Sequence, residues 1–164
     1  MPDRRKWWGF LAVAGVALAA DLASKKWAFA AVEATPDACV EVWPNRFELR
    51  AALNTAGVWS LGYGKLHANA ILAAVAAAAV VLIVAWAWRG APRERWPFAV
   101  VLGAIVGGAA GNLHDRLRFG GVRDFLQVYL WNGYEYPMFN VADSFLVVGG
   151  AAMFLFLWRT NEKK

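Results

Sequence analysis

The sequence predicts an all-α integral membrane protein built on four transmembrane helices, and three observations carry that expectation. Of its 164 residues, 60% are hydrophobic and the mean hydropathy is +0.39. That is more apolar surface than a soluble domain of this length can bury. Four apolar segments, about 7–32, 68–88, 96–116 and 138–158, each approach the roughly 20 residues that cross a bilayer core. The chain also carries 10 Trp, and indole rings favour the membrane–water interface. Together the segments and their connections read as a single membrane domain over 1–164.

The first segment begins as a cleavable leader would, with Arg4, Arg5 and Lys6 before an apolar run and Ala17-Leu18-Ala19 after it. The helical pattern continues through Asp21, Ser24 and Lys25 into Trp27-Ala28-Phe29-Ala30, so the segment is read as a retained first helix. Residues 33–65 connect it to the second span. They hold Pro36 and Pro44, and the alternation Arg46-Phe47-Glu48-Leu49-Arg50 suggests short strands. Their one cysteine, Cys39, reads as a free thiol in a loop. Arg89 to Arg95, with Pro92, form a polar hairpin between the second and third spans. Residues 117–137, with Gly120-Gly121 and Pro137, read as an irregular loop with one short helical turn.

Four spans place both termini and the 89–95 hairpin on one side. Basic residues there lie in three very short segments beside Trp7, Trp8, Trp86, Trp88, Trp96 and Trp158. Trp27 and Trp131 mark the opposite interface. Dense positive charge next to helix ends assigns the termini to the cytoplasm. The net charge of +5 forms no continuous stripe, so it suits anionic lipid headgroups and excludes a nucleic-acid partner.

On this topology the polar residues of the spans gather at one end. Asp21, Ser24 and Lys25 lie at the exit of the first span, and Asn112, Asp115 and Arg116 at the exit of the third. Asn140 and Asp143 lie in the opening turns of the fourth, with Asp143 about 8 Å below Met138 at helical rise. Ionisable groups inside a membrane are costly and mark either a function or a mutual pairing. Asn112, Asp115 and Arg116 stand at i, i+3 and i+4, and Asn140 and Asp143 at i, i+3. Gly103, Gly107 and Gly111 recur every four residues and offer a smooth stripe for close helix packing.

Asp124, in the loop outside the third span, and Asp143 could converge on one water. Two carboxylates so placed hold one proton between them, and the ionised one draws a proton from water while the other polarises a carbonyl. In a second reading each Asp simply pairs with an Arg, such as Arg116 or Arg123. Residue chemistry leaves both open. His67 and His114 are the only histidines, too few for the usual zinc arrangements, and no metal or other cofactor is expected. Ser24, Ser60 and Ser144 lack a histidine at a suggestive spacing and a Gly-x-Ser-x-Gly turn. His114 reads as an interfacial side chain.

Five blocks, in order, make the chain resemble the lipoprotein signal peptidase (signal peptidase II) family. They are Asp21-Leu22-Ala23-Ser24-Lys25, Asn54 to Trp59-Ser60, Gly107 to Arg116, Val122-Arg123-Asp124-Phe125, and Phe139-Asn140-Val141-Ala142-Asp143. The resemblance implies a four-helix aspartic endopeptidase of the bacterial inner membrane. It would cleave diacylglyceryl-modified prolipoproteins before the lipidated cysteine, as a monomer among membrane lipids. Asp124 and Asp143 match the catalytic pair, near the extracytoplasmic interface. Asn112, Asp115, Arg116 and Asn140 match supporting positions, and Asp21, Lys25 and Asn54 match further motif positions. Residues 33–65 would form a small β-like cradle on the membrane surface, and 117–137 a loop gating the site. The second block departs from the family's Asn-x-Gly pattern. Ala56 stands at the Gly position, Gly57 follows, and Trp59 replaces a Phe. Ala resists the left-handed backbone that Gly allows, so the turn after Asn54 is expected to shift.

Two other classes remain for comparison. A small transporter or channel subunit needs polar residues from face to face, and the second span is nearly free of them. A non-catalytic membrane scaffold would tolerate Asp→Asn at both positions.

Overall fold

Glycines of the third span decide how the bundle assembles. In the computed structural model, which describes residues 4–55, 67–89 and 96–161, the helices are α1 (Arg4–Glu33), α2 (Ala68–Trp88), α3 (Trp96–Phe119) and α4 (Val141–Asn161). All four are long and apolar enough to cross a membrane. Helix α3 is central, with α1, α2 and α4 packed around it. A Cβ on Gly103 would lie 2.6 Å from the Phe10 carbonyl oxygen, and one on Gly107 2.5 Å from that of Ala14. On another face, a Cβ on Gly108 would lie 2.7 Å from the Ala142 carbonyl oxygen. Apolar side chains gain little by leaving lipid, so van der Waals contact of this closeness holds such helices together. Gly107→Ala is therefore expected to lower stability by about 1–3 kcal/mol through overpacking. Thermal unfolding in detergent measures this, and an unchanged midpoint would contradict the packing.

At the end of the bundle that holds the N-terminus, Phe10, Phe98, Leu102 and Val106 form a buried cluster, joined by Trp7, Ile83, Met153 and Phe156. Trp7 meets Phe10 and Trp88 at ring-centroid distances of 5.2 and 5.0 Å, and Trp86 meets Phe98 at 5.4 Å. Outward faces of α2 and α4 leave Ile71, Val75, Leu82, Val147 and Val148 exposed, as lipid-facing helices do.

The other end departs from the all-α expectation. Strands β1 (Cys39–Trp43), β2 (Phe47–Asn54), β3 (Val122–Tyr129) and β4 (Glu135–Phe139) form one antiparallel sheet in the order β1-β2-β3-β4. The alternation near Phe47 is indeed a strand. Residues 117–137, expected to be an irregular loop, are instead the end of α3, a turn with Gly120 at φ 74°, and most of the β3–β4 hairpin. Gly and Pro were legible there as breakers. The β-branched and aromatic residues between them form strands because β2, distant in sequence, supplies a pairing edge. Cys39 likewise opens β1 instead of lying in a loop. Phe139 still belongs to β4, so the fourth helix begins at Val141 and not near Met138, and Asp143 falls in its first turn.

The sheet seats on the bundle through Leu49 and Phe125, buried against Ala28 and Val32 of α1. Side chains alternate along β3. Phe125 faces α1, and so does Arg123, whose guanidinium lies 4.2 Å from the Phe119 ring centroid and 5.9 Å from that of Phe29. Asp124 is thereby turned to the opposite face.

Candidate active site

The junction between bundle and sheet collects the costly polar residues. Lys25 is fully buried, and its Nζ reaches Asp21 Oδ2 at 2.7 Å, Asn112 Oδ1 at 3.0 Å and Asp115 Oδ2 at 3.1 Å. Those are three acceptors for the three N–H groups of an ammonium. The other oxygen of Asp21 accepts the backbone N–H of Ala142 at 2.9 Å, which ties α1 to the start of α4. Gly111 leaves room for this carboxylate, since a Cβ there would collide with it. Asp115 is also buried and accepts from Arg123 through the backbone N–H at 3.1 Å and Nη2 at 2.8 Å. Two buried carboxylates are thus opposed by two cations, as buried charges require.

Asp124 and Asp143 are treated differently: among the described residues neither forms an ion pair, and amides hold both. Asn140 caps α4. Its Oδ1 accepts the Asp143 backbone N–H at 3.0 Å, and Asp143 Oδ2 accepts the Asn140 backbone N–H at 3.1 Å. This is a capping box with Asn at the cap and Asp three residues on. The free end of the same amide, Asn140 Nδ2, donates to Asp124 Oδ1 at 2.7 Å. One fully buried side chain therefore fixes both carboxylates. Asp143 Oδ1 accepts from Asn112 Nδ2 at 2.8 Å, and Asp124 Oδ2 from Asn54 Nδ2 at 3.0 Å. Asn54 is placed for this by strand register: Ala52 pairs with Asp124, and Asn54 lies two residues along on the same face.

Burial pushes the Asp124 carboxyl up to about 6. The Asn54 hydrogen bond opposes that rise, and the negative charge of Asp143 adds to it. As pH falls, Asp124 accordingly takes a proton well before an ordinary aspartate would. A pair in which one member holds a proton and the other is ionised can activate water and polarise a carbonyl together.

Every site residue read from the sequence, apart from Arg116, joins this network. Arg116 shares a helix with Asn112 and Asp115 but turns toward α2, where Nη1 donates to Asn69 Oδ1 at 3.2 Å and Asn69 Nδ2 donates to the Arg116 carbonyl at 3.1 Å. Its charge still acts on Asp124 and Asp143. Asn69 was not foreseen, because one amide in an otherwise apolar span carries no motif. His114 stands beside Asp115 at 3.3 Å and is partly exposed. Ser24 and Ser144 hydroxyls donate to backbone carbonyls within their own helices, of Asp21 at 2.9 Å and Asn140 at 3.3 Å. Ser60 and the turn at Ala56-Gly57 lie outside the described residues.

A separate polar group sits in the sheet. Glu48 accepts from Tyr129 Oη at 2.5 Å and Cys39 Sγ at 3.2 Å and pairs with Arg50. The Tyr129 hydroxyl is pushed up to about 12, first by its bond to Glu48. A groove beside this group, lined by Trp43, Phe47, Glu48, Tyr129 and Trp131, shares no residue with the Asp124–Asp143 site.

Four membrane-spanning helices, a sheet on one end, and two amide-held carboxylates at the junction define a polytopic membrane protein with a two-carboxylate site. The sequence matches the family described as Signal peptidase (SPase) II over residues 13–159. The lipoprotein signal peptidase of Pseudomonas putida is 34% identical over 126 residues, 76% of this chain and 73% of its own. That of Anoxybacillus flavithermus is 38% identical over 111 residues, 68% of this chain and 62% of its own. The chain belongs to the signal peptidase II family, a family of peptidases, and is a multi-pass bacterial membrane protein. A bacterial membrane enzyme solved by the in meso method at 2.3 Å resolution shares the fold, with a TM-score of 0.80 and 23% identity over 94% of this chain and 90% of that one. A second, at 1.9 Å resolution, has a TM-score of 0.74 and 24% identity over 90% of this chain and 91% of that one. The family resemblance read from the five sequence blocks is borne out.

Proposed function

We propose that this chain is an aspartic endopeptidase that removes signal peptides from diacylglyceryl-modified prolipoproteins, cleaving before the lipidated cysteine, with Asp124 and Asp143 as the catalytic pair. One observation carries the reading. Of four carboxylates at the junction, Asp21 and Asp115 are taken up by Lys25 and Arg123, while Asp124 and Asp143 are joined through Asn140 and form no ion pair among the described residues. The alternative in which each of those two pairs with an Arg has no ion pair to support it among the described residues.

The chemistry follows from the arrangement. Ionised Asp143 takes a proton from a water held between the carboxylates, and the hydroxide oxygen bonds to the scissile carbonyl carbon. Protonated Asp124 donates to the carbonyl oxygen. The C–N bond then breaks as the amine nitrogen of the lipidated cysteine takes the proton held by Asp143, Asp124 regains its proton from a hydroxyl of the tetrahedral carbon, and the signal peptide leaves as a carboxylic acid. Asn54, Asn112 and Asn140 keep the carboxylates from reorganising as charge moves. Both termini lie in the cytoplasm and the sheet lies at the extracytoplasmic face, an orientation supported by the basic residues Arg4, Arg5, Lys6, Arg89 and Arg159 at the helix ends away from Asp143. A cysteine whose acyl chains stay in lipid presents its peptide bond at that depth. The sheet then forms the cradle, the gating role expected of 117–137 falls to the β3–β4 hairpin, and residues 1–164 act as one domain and as a monomer.

Purified enzyme in detergent is expected to cleave a diacylglyceryl-modified prolipoprotein before its lipidated cysteine and to leave the unmodified precursor intact. Equal cleavage of both would contradict the proposed substrate class. Ser24→Ala and Ser144→Ala are expected to retain activity, and loss in a folded variant would point to a serine mechanism.

A further inference from the structure

Lys25 touches neither Asp124 nor Asp143, yet it determines what Asp143 meets. An amide side chain presents either its oxygen or its NH2 to a neighbour, and its other partners choose which. At Asn112 the choice is forced. Lys25 Nζ can only donate, and it lies 3.0 Å from one end of the amide, so that end is Oδ1. The other end is then Nδ2, which donates to Asp143 Oδ1 at 2.8 Å. Asn140 is forced similarly by the Asp143 backbone N–H, so Asp143 and Asp124 both face donors. Lys25 is in turn locked by Asp21 and Asp115, with no exposed surface on any of the three. The charged groups around this chain of contacts are Asp21 on α1, Asp115 and Arg116 on α3, His114 beside Asp115, and Arg123 and Asp124 on β3.

We propose that Lys25 is a positioning residue for catalysis: by donating to Asn112 Oδ1 it commits the Asn112 amide to donate to Asp143, which keeps Asp143 in the ionised form that activates water. This rests on the Asp124–Asp143 reading given above. Without the ammonium, the Asn112 amide is free to turn its oxygen toward Asp143, and that contact favours a protonated carboxyl. The working form of the pair then gives way to a doubly protonated, inactive one at a higher pH than in the wild type.

The test measures kcat and KM against pH for cleavage of the diacylglyceryl-modified prolipoprotein by the full chain. Lys25→Met is expected to move the acid limb of the kcat profile up by about one unit, and so to lower kcat about tenfold at pH values below that limb, with KM little changed, a pH-dependent loss tied to the protonation state of the pair. Lys25→Met alone leaves Asp21 and Asp115 short of a cation, so Asp21→Asn/Lys25→Met, which keeps the local charge balance, is measured beside it. Asn112→Leu removes the same donor directly and is expected to shift the same limb in the same direction. Adding Lys25→Met to Asn112→Leu is expected to produce no further shift, as for two residues acting in series. An unmoved acid limb in the folded Lys25 variants, or additive losses in the double variant, would overturn the proposal. Asp124→Asn is included as a separate arm. Full activity there overturns the catalytic pair and this inference with it, whereas an inactive Asp124→Asn beside an unshifted Lys25→Met overturns the inference alone.

Discussion

Asp124→Asn and Asp143→Asn are each expected to lower kcat by about 10³-fold or more while the protein still inserts and folds. The size follows from the division of labour, because neither carboxylate can do the other's task. An amide at 143 cannot take a proton from water. One at 124 fills the same volume, but it neither shares a proton with Asp143 nor restores the charge that sets which member holds it. Folding should survive because an Asn keeps the volume and can accept one of the two hydrogen bonds that each carboxylate now accepts on separate oxygens, while its NH2 meets the other donor. Cleavage assays combined with thermal unfolding in detergent separate the two effects. Near-normal processing by either variant would move the site elsewhere.

The second large effect is expected at Asn140. Asn140→Leu removes a helix cap, at about 1 kcal/mol, and leaves the 3% exposed Asp124 with one fewer donor. Stability is expected to fall by about 2–3 kcal/mol in total. Activity is expected to fall by about 10²-fold, because the one side chain that sets the spacing of the two carboxylates is lost. Asn140→Asp divides these contributions. An aspartate caps the helix as well as asparagine does, so the roughly 1 kcal/mol of the cap should return. Activity should not, because a third carboxylate would face Asp124 where a donor stood. Recovery of both in Asn140→Asp would show that Asn140 serves the helix and not the pair.

Asp143 stood out in the sequence as an ionisable residue in an apolar span, Asp124 through the Val122-Arg123-Asp124-Phe125 block that resembles the family's, and the small-residue stripe at Gly103, Gly107 and Gly111 announced a close helix contact. The partner of each residue was harder to see. Asn140 and Asp143 were recognised as sharing a helix face, but their meaning as a capping box depends on where α4 begins, and strand β4 delays that start to Val141. The sheet itself is held by pairing between residues some 70 positions apart, such as Ala52 with Asp124, and local periodicity does not encode such pairs. For the same reason the Asn69–Arg116 clasp and the Glu48–Tyr129–Cys39 group had no sequence signal. Each is a contact between residues from distant segments, ordinary when read alone. Lys25 was legible as a motif position, whereas its grip on Asn112 is a property of the assembled helices.

The pH dependence of kcat/KM for the wild-type enzyme tests the shared-proton pair most directly, since it reports the ionisations of the free enzyme. Burial raises Asp124 to about 6, so the proton is held below that pH and lost above it. The catalytic form therefore disappears as pH rises through the Asp124 value, and disappears again in acid when the second carboxylate is protonated. A bell is expected, with its alkaline limb near pH 6. A profile flat from pH 5 to 8, in an enzyme that remains folded throughout, would contradict catalysis by Asp124 and Asp143 sharing one proton.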